Sequence, residues 1–141
     1  MSAEPANDQE RTVVEFFDTL SSGDLEALRA LLHPDASWTP TAKDIPGAGV
    51  HHPRDAVIDE FLAPVRGMFK PGDPKVYISN IVSSGDRVMV ESRSLGEFAD
   101  GRTYDNLYAW AFDLKDGQVW KIREYMDSLY IHKLGLQTAD A

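Results

Sequence analysis

The chain has 141 residues, 43% of them hydrophobic, which suits one domain with a single core and no need of a disulfide or metal staple. Its formal charge of −9, with 14 basic residues dispersed along the sequence, argues against nucleic acid and anionic membranes, whose phosphates need clustered Lys and Arg. There is no cysteine, Met1 to Gln9 lacks the basic end and apolar run of a signal peptide, and no apolar stretch reaches bilayer length, so the expected location is cytoplasmic.

Helices come first. Asn7 and Glu10 have the spacing of a capping box, followed by Val13, Phe16, Phe17 and Leu20 at helical intervals until Ser21-Ser22-Gly23. Asp24 is expected to cap a shorter helix carrying Leu25, Leu28, Leu31 and Leu32, which His33-Pro34 stops. Ala36 to Thr41 reads as a short strand containing Trp38, and Thr41 to Gly49 as a loop. A third helix opens at Pro53 with Val57, Ile58, Phe61 and Leu62 on its stripe, and Pro64 is expected to kink or break it. Four strands follow, near 75–83, 87–98, 103–114 and 118–128, joined by Gly-containing turns. Tyr130 to Leu134 reads as a final helical turn. The domain is expected over residues 7–134, with flexible tails at 1–6 and 135–141.

This order predicts an α+β fold in which a curved antiparallel or mixed sheet wraps the N-terminal helices as a cone. The open end of such a cone is a natural pocket. Asp100 to Asp127 is the most informative stretch for what the pocket does. At period two, Tyr104, Asn106, Tyr108, Trp110 and Phe112 share one face of a strand, and Trp120, Ile122, Glu124 and Met126 share one face of the next. Lys121 and Arg123 take the opposite, wetted face. Glu124 is thus expected to point into an aromatic wall, where a carboxyl must be neutralised, hydrogen-bonded or used in chemistry.

The element order, together with Gly101, Tyr104, Asn106, Tyr108, Phe112, Asp116-Gly117 and Arg123-Glu124-Tyr125-Met126-Asp127, resembles the nuclear transport factor 2-like superfamily. The Gly23-Asp24 break and the His33-Pro34-Asp35-Ala36 strand entry point to its SnoaL-like, ketosteroid-isomerase-like bacterial branch, and the likeness runs from about Asn7 to Leu134. The resemblance implies a cone-shaped α+β roll of the cystatin-like kind. It spans isomerases, polyketide cyclases, dehydratases, epoxide hydrolases, phenazine-biosynthesis proteins and non-catalytic binding modules. Glu124 takes the place of the water-activating acid of limonene-epoxide-hydrolase-like proteins. Their Arg and Asp partners have no match, since inward serines occupy Ser92 to Ser94. Glu124 and Tyr104 match a Glu and Tyr of the phenazine-biosynthesis members. Asp35 lies roughly where ketosteroid isomerases carry their base, but nothing else completes that set.

Glu124, Tyr104 and His52 are the candidate catalytic residues. Glu124 acts as acid or base, Tyr104 and Asn106 donate to one ligand oxygen, and His52 shuttles protons at the cone mouth. Asn106, Trp38, Tyr108, Trp110, Trp120, Phe17, His51 and Asp127 are candidate substrate contacts, with Phe16 core or lining, Asp127 also a helix cap and His132 a possible closing group. Adjacent histidines without ligand spacing argue against a metal site, and no motif calls for a cofactor. The expected partner is an apolar small molecule. A homodimer is expected through the outer sheet face, where charges of both signs mix with Leu95, Leu107 and Tyr125.

Overall fold

The computed structural model describes residues 3–136. Helix α1 (Asp8–Ser22) is capped by Asn7, whose side chain accepts from Glu10 N, and ends at Gly23 in the left-handed region. Asp24 caps α2 (Leu25–Leu31) by accepting from Ala27 N. Strand β1 (Leu32–Pro40) follows without a gap, so it begins earlier than the Ala36 expected from sequence. The helix ends at Leu31, one residue short of the Leu32 expected on its stripe, and Leu32 and His33-Pro34 are already in the extended state.

The third helical segment runs as α3 (Arg54–Ala56), a π-helical stretch (Val57–Leu62) and α4 (Ala63–Arg66). Pro64 does not break it. Ala63 N donates five residues back to Ile58 O, and the wider π turn precedes the proline, which sits in the first turn of α4. Strands β2 (Lys75–Ser84), β3 (Arg87–Glu97), β4 (Thr103–Lys115) and β5 (Gln118–Met126) then form an antiparallel meander, and α5 (Ser128–Lys133) closes the described fold. The β4–β5 turn is Asp116-Gly117 with φ of 53° and 74°, the left-handed pair that a two-residue hairpin matched to strand twist demands.

The mixed sheet has the order β1-β5-β4-β3-β2, with β1 parallel to β5. Its concave face packs on α1 and the third helical segment. Val13, Phe16, Phe17, Leu28, Val57, Ile78, Phe112 and Ile122 are almost fully buried between them. Phe17 packs edge-on against Trp110 at 5.0 Å and Phe16 against Phe112 at 5.3 Å. Both belong to this core rather than to a ligand wall. A smaller cluster of Phe69, Phe98, Tyr104 and Ile131 lies beneath α5.

One irregularity matters for everything below. Leu114 pairs with Val119, but Asp113 pairs with Lys121, so Trp120 is an extra residue in β5. Val119 is buried, and Trp120 and Lys121 both turn outward before Ile122 turns back in. The expectation that Trp120 shares the face of Glu124 is corrected by this bulge. Trp120 sits outside, flanked by the ammonium groups of Lys115 and Lys121 at 4.8 and 4.3 Å. Of the tails expected at 1–6 and 135–141, residues 1–2 and 137–141 lie outside the described residues.

Candidate functional site

The concave face leaves a hollow of ≈ 110 Å³ between the sheet, the third helical segment and α5. Trp38, Phe61, Tyr104, Tyr108, Trp110 and Glu124 are among the residues that line it. Glu124 enters from β5 directly opposite Trp110 on β4 and Pro40 on β1. Its backbone carbonyl accepts from Thr41 N at 3.0 Å and Thr41 Oγ1 at 2.9 Å, which fixes the strand under the carboxyl.

Glu124 is 8% exposed, and its carboxyl accepts a hydrogen bond from Trp38 Nε1 to Oε1 at 3.0 Å. Burial, which disfavours the charged form, pushes it up to about 7, while the indole N–H works the other way. Both protonation states are therefore populated near neutrality, the condition a general acid–base group requires. Replacing Trp38 by Phe keeps the ring but removes that donor. Glu124 is then expected to titrate higher by roughly one pH unit, the worth of a hydrogen bond to a charged group. A carbon-13 titration of the carboxyl checks this, and an unchanged or lower midpoint would show that the indole N–H does not hold the anion.

Tyr104 and Tyr108 form a hydroxyl pair at 2.5 Å, and Asn106 Nδ2 donates to Tyr104 at 3.1 Å. Two phenols sharing one hydrogen bond have one hydrogen left over, so the pair keeps a donor for a ligand oxygen. Burial pushes Tyr104 up to about 12 and Tyr108 well above its ordinary value, so both remain neutral donors. The expected donor pair of Tyr104 and Asn106 is therefore redrawn. Asn106 also donates to Asp127 O and accepts from Leu107 N, and it stands behind Tyr104 rather than in the hollow.

The histidines do not join Glu124. His51 pairs its backbone with Trp38, stacks on Phe61 at 4.2 Å and bonds Gly47 O at 2.6 Å, clamping the 41–50 loop over the hollow. Gly47 is required there, because a Cβ would fall 2.5 Å from the Phe61 ring. His52 is exposed, since neighbouring residues on extended backbone point opposite ways, and it lines nothing in the hollow. His132 is exposed beside Asp44 O, and Asp35 is exposed at the start of β1. Asp127 is also exposed and caps α5 by accepting from Tyr130 N at 3.1 Å, which answers its double expectation in favour of the cap. Sequence reasoning did not single out Arg66, which also lines the hollow, and read Ser94, another lining residue, only as an inward serine of its strand. Arg66 carries no motif and lies two residues after Pro64 in a segment read only for its apolar stripe.

A family model for the SnoaL-like domain matches residues 13–122. Among solved structures, Bal32a from a soil-derived mobile gene cassette is 27% identical with a TM-score of 0.76, over 88% of this chain and 92% of that one. A protein from Jannaschia sp. CCS1 named as a SnoaL-like polyketide cyclase is 23% identical with a TM-score of 0.73, over 94% and 97%. An LEH-like epoxide hydrolase from M. tuberculosis is 20% identical with a TM-score of 0.73, over 92% and 89%. Several NTF2-like proteins from Burkholderia species share the same fold. No functionally curated protein shows significant similarity to the chain. With the family model covering most of its length, the chain belongs to the SnoaL-like family, and its fold is shared by solved NTF2-like proteins.

Proposed function

We propose that the chain is a cofactor-independent enzyme whose Glu124 moves protons on an apolar small molecule that carries a carbonyl or hydroxyl oxygen. Glu124 takes a proton from carbon beside the oxygen-bearing centre. The oxyanion that develops is met by the spare phenolic hydrogen of the Tyr104–Tyr108 pair, and the proton returns to another carbon, to a leaving oxygen, or to the alkoxide formed when the enolate carbon attacks a second carbonyl of the same molecule. The products are those of an isomerase, a cyclase or a dehydratase. The observation that carries this reading is one buried carboxyl, pushed up to about 7 by that burial, in a largely apolar hollow beside the Tyr104–Tyr108 hydroxyls. Epoxide opening is less well supported, because the inward positions of β3 beside β4 are Ser92 and Ser94 and supply no Arg or Asp partner. The deciding experiment follows deuterium uptake from heavy water by ring-bearing ketones, and turnover of steroid, polyketide and epoxide panels, with wild type and Glu124→Gln. Turnover that disappears in the variant supports the enzyme. Binding without any turnover in wild type favours a non-catalytic module.

The outer sheet face supports a homodimer. Tyr77, Arg93 and Leu107 lie in one row across β2, β3 and β4, with Met89, Val82 and Tyr125 exposed nearby. Leu107 is 67% exposed, and Arg93 and Asp105 form a two-point ion pair beside it. An apolar strip edged by charges is how an isologous interface is built. Sedimentation is expected to give a dimer that Leu107→Glu converts to monomer, and a monomeric wild type would remove the proposal.

A further inference from the structure

Arg66 is the one arginine without a carboxylate partner among the described residues. Arg11, Arg29, Arg54, Arg87, Arg93, Arg102 and Arg123 each have an acidic oxygen within ion-pair distance. Arg66 is partly buried on the wall of the hollow, and its recorded hydrogen bond is a long one, from Nη2 to Pro74 O at 3.3 Å. A guanidinium has five N–H donors, so most of this one's capacity is unspent. Asp73 is the acid whose field it feels, but one Asp73 oxygen is held by Glu97 N at 3.0 Å. Burial draws Arg66 down to about 10, which leaves it charged at neutral pH.

A half-buried cation with so few bonds is costly unless something else completes it. Ser94, 3% exposed, lines the same hollow from β3. Ser94 pairs with Val76, two residues after the Pro74 that Arg66 touches. Both groups therefore sit at the β2–β3 flank. Glu124 enters from β5, two strand spacings or about 10 Å across the sheet from Ser94's strand and three spacings or about 14 Å from β2. The two ends of the hollow are chemically distinct: a carboxyl of tunable protonation at one, and a fixed positive charge with a hydroxyl at the other.

We propose that Arg66 and Ser94 form an anion subsite, and that the ligand is a ring-bearing carboxylic acid whose carboxylate binds there while its ring fills the hollow towards Glu124. The subsite rests on reading this hollow as a small-molecule site, but not on Glu124 performing catalysis. A guanidinium offers two parallel donors to the two carboxylate oxygens, which a lysine ammonium cannot reproduce.

The test is calorimetric titration at about pH 6, where Glu124 is mostly neutral and does not repel an acid. Benzoate, 2-naphthoate and their carboxamides are titrated into wild type, Arg66→Gln, Arg66→Lys and Glu124→Gln. In wild type at least one acid is expected to bind on the order of tenfold tighter than its amide, the scale of a charge-assisted pair. Arg66→Gln is expected to erase that preference by weakening the acid, with amide affinity held within about twofold. Should the glutamine variant not fold, Arg66→Lys decides, with acid affinity expected to fall about threefold or more and amide affinity unchanged. The preference persists in Glu124→Gln whether or not that residue proves catalytic, so the two readings fail separately. Equal binding of acid and amide, no acid binding at millimolar concentration, or loss of both ligands together in the Arg66 variants overturns the subsite.

Discussion

Glu124→Gln is expected to lower turnover by about 10²- to 10⁴-fold while changing ligand affinity by less than about threefold. Gln keeps the shape and an oxygen able to accept from Trp38 Nε1, so the wall of the hollow is preserved. What disappears is the ability to hold and release a proton. The loss should therefore fall on kcat rather than KM, because proton transfer occurs only on the way to the transition state. In wild type the rate should bend near pH 7, following the raised carboxyl, and in the variant this bend should vanish. A variant that turns over substrate at the wild-type rate would remove Glu124 from the chemistry. A rise in KM at constant kcat would make it a binding group.

The second large effect is on stability, and its direction is opposite to intuition for an acidic residue. Glu124 titrates at about 7 when folded and near 4.5 when unfolded. Between those values the folded chain holds a proton that the unfolded chain has released, so raising the pH favours unfolding. The stabilising contribution is complete below about pH 4.5 and is lost as the pH climbs through 7. At ~1.4 kcal/mol per pH unit it amounts to about 3 kcal/mol in all. Urea unfolding at about pH 5 and pH 8 should show wild type losing about 2–3 kcal/mol more than Glu124→Gln over that interval. Parallel losses in the two proteins would show that the carboxyl is not held neutral by burial. Such a cost, borne by a fold whose total stability is small, is what a retained functional group looks like.

Much of this architecture was legible in the sequence because its signals are local. The Asn7 and Asp24 caps, the Gly23 stop and the Asp116-Gly117 turn each combine a residue type with one backbone conformation. The placement of Glu124 indoors was legible for a related reason, since its neighbours Arg123 and Tyr125 alternate with it and the aromatic strand β4 lies opposite. What escaped was set by contacts remote in sequence. Trp120 was misplaced because a bulge carries no residue signature of its own. His52 and His51 were misjudged because their loop has no period from which to read direction. Arg66 was passed over because a cation on an apolar helix is ordinarily a surface residue, and only the packed fold reveals that no acid answers it. The dyad partner of Tyr104 was taken to be its neighbour on the strand, Asn106. The hydroxyl it meets is four residues along, on Tyr108.

The additional residue in β5 decides which sign of charge resides within the cone. Counted without interruption from its turn, the hairpin would set Arg123 against Trp110 and leave Glu124 facing Ala109 on the convex side. Trp120 takes up the slack, and the ladder resumes with Glu124 opposite Trp110. The acidity of the interior is thus a property of backbone count some four positions upstream. A variant that smoothed the bulge away without removing a residue would carry a guanidinium where this chain carries a carboxyl, whereas deleting Trp120 together with the bulge would keep the carboxyl in place.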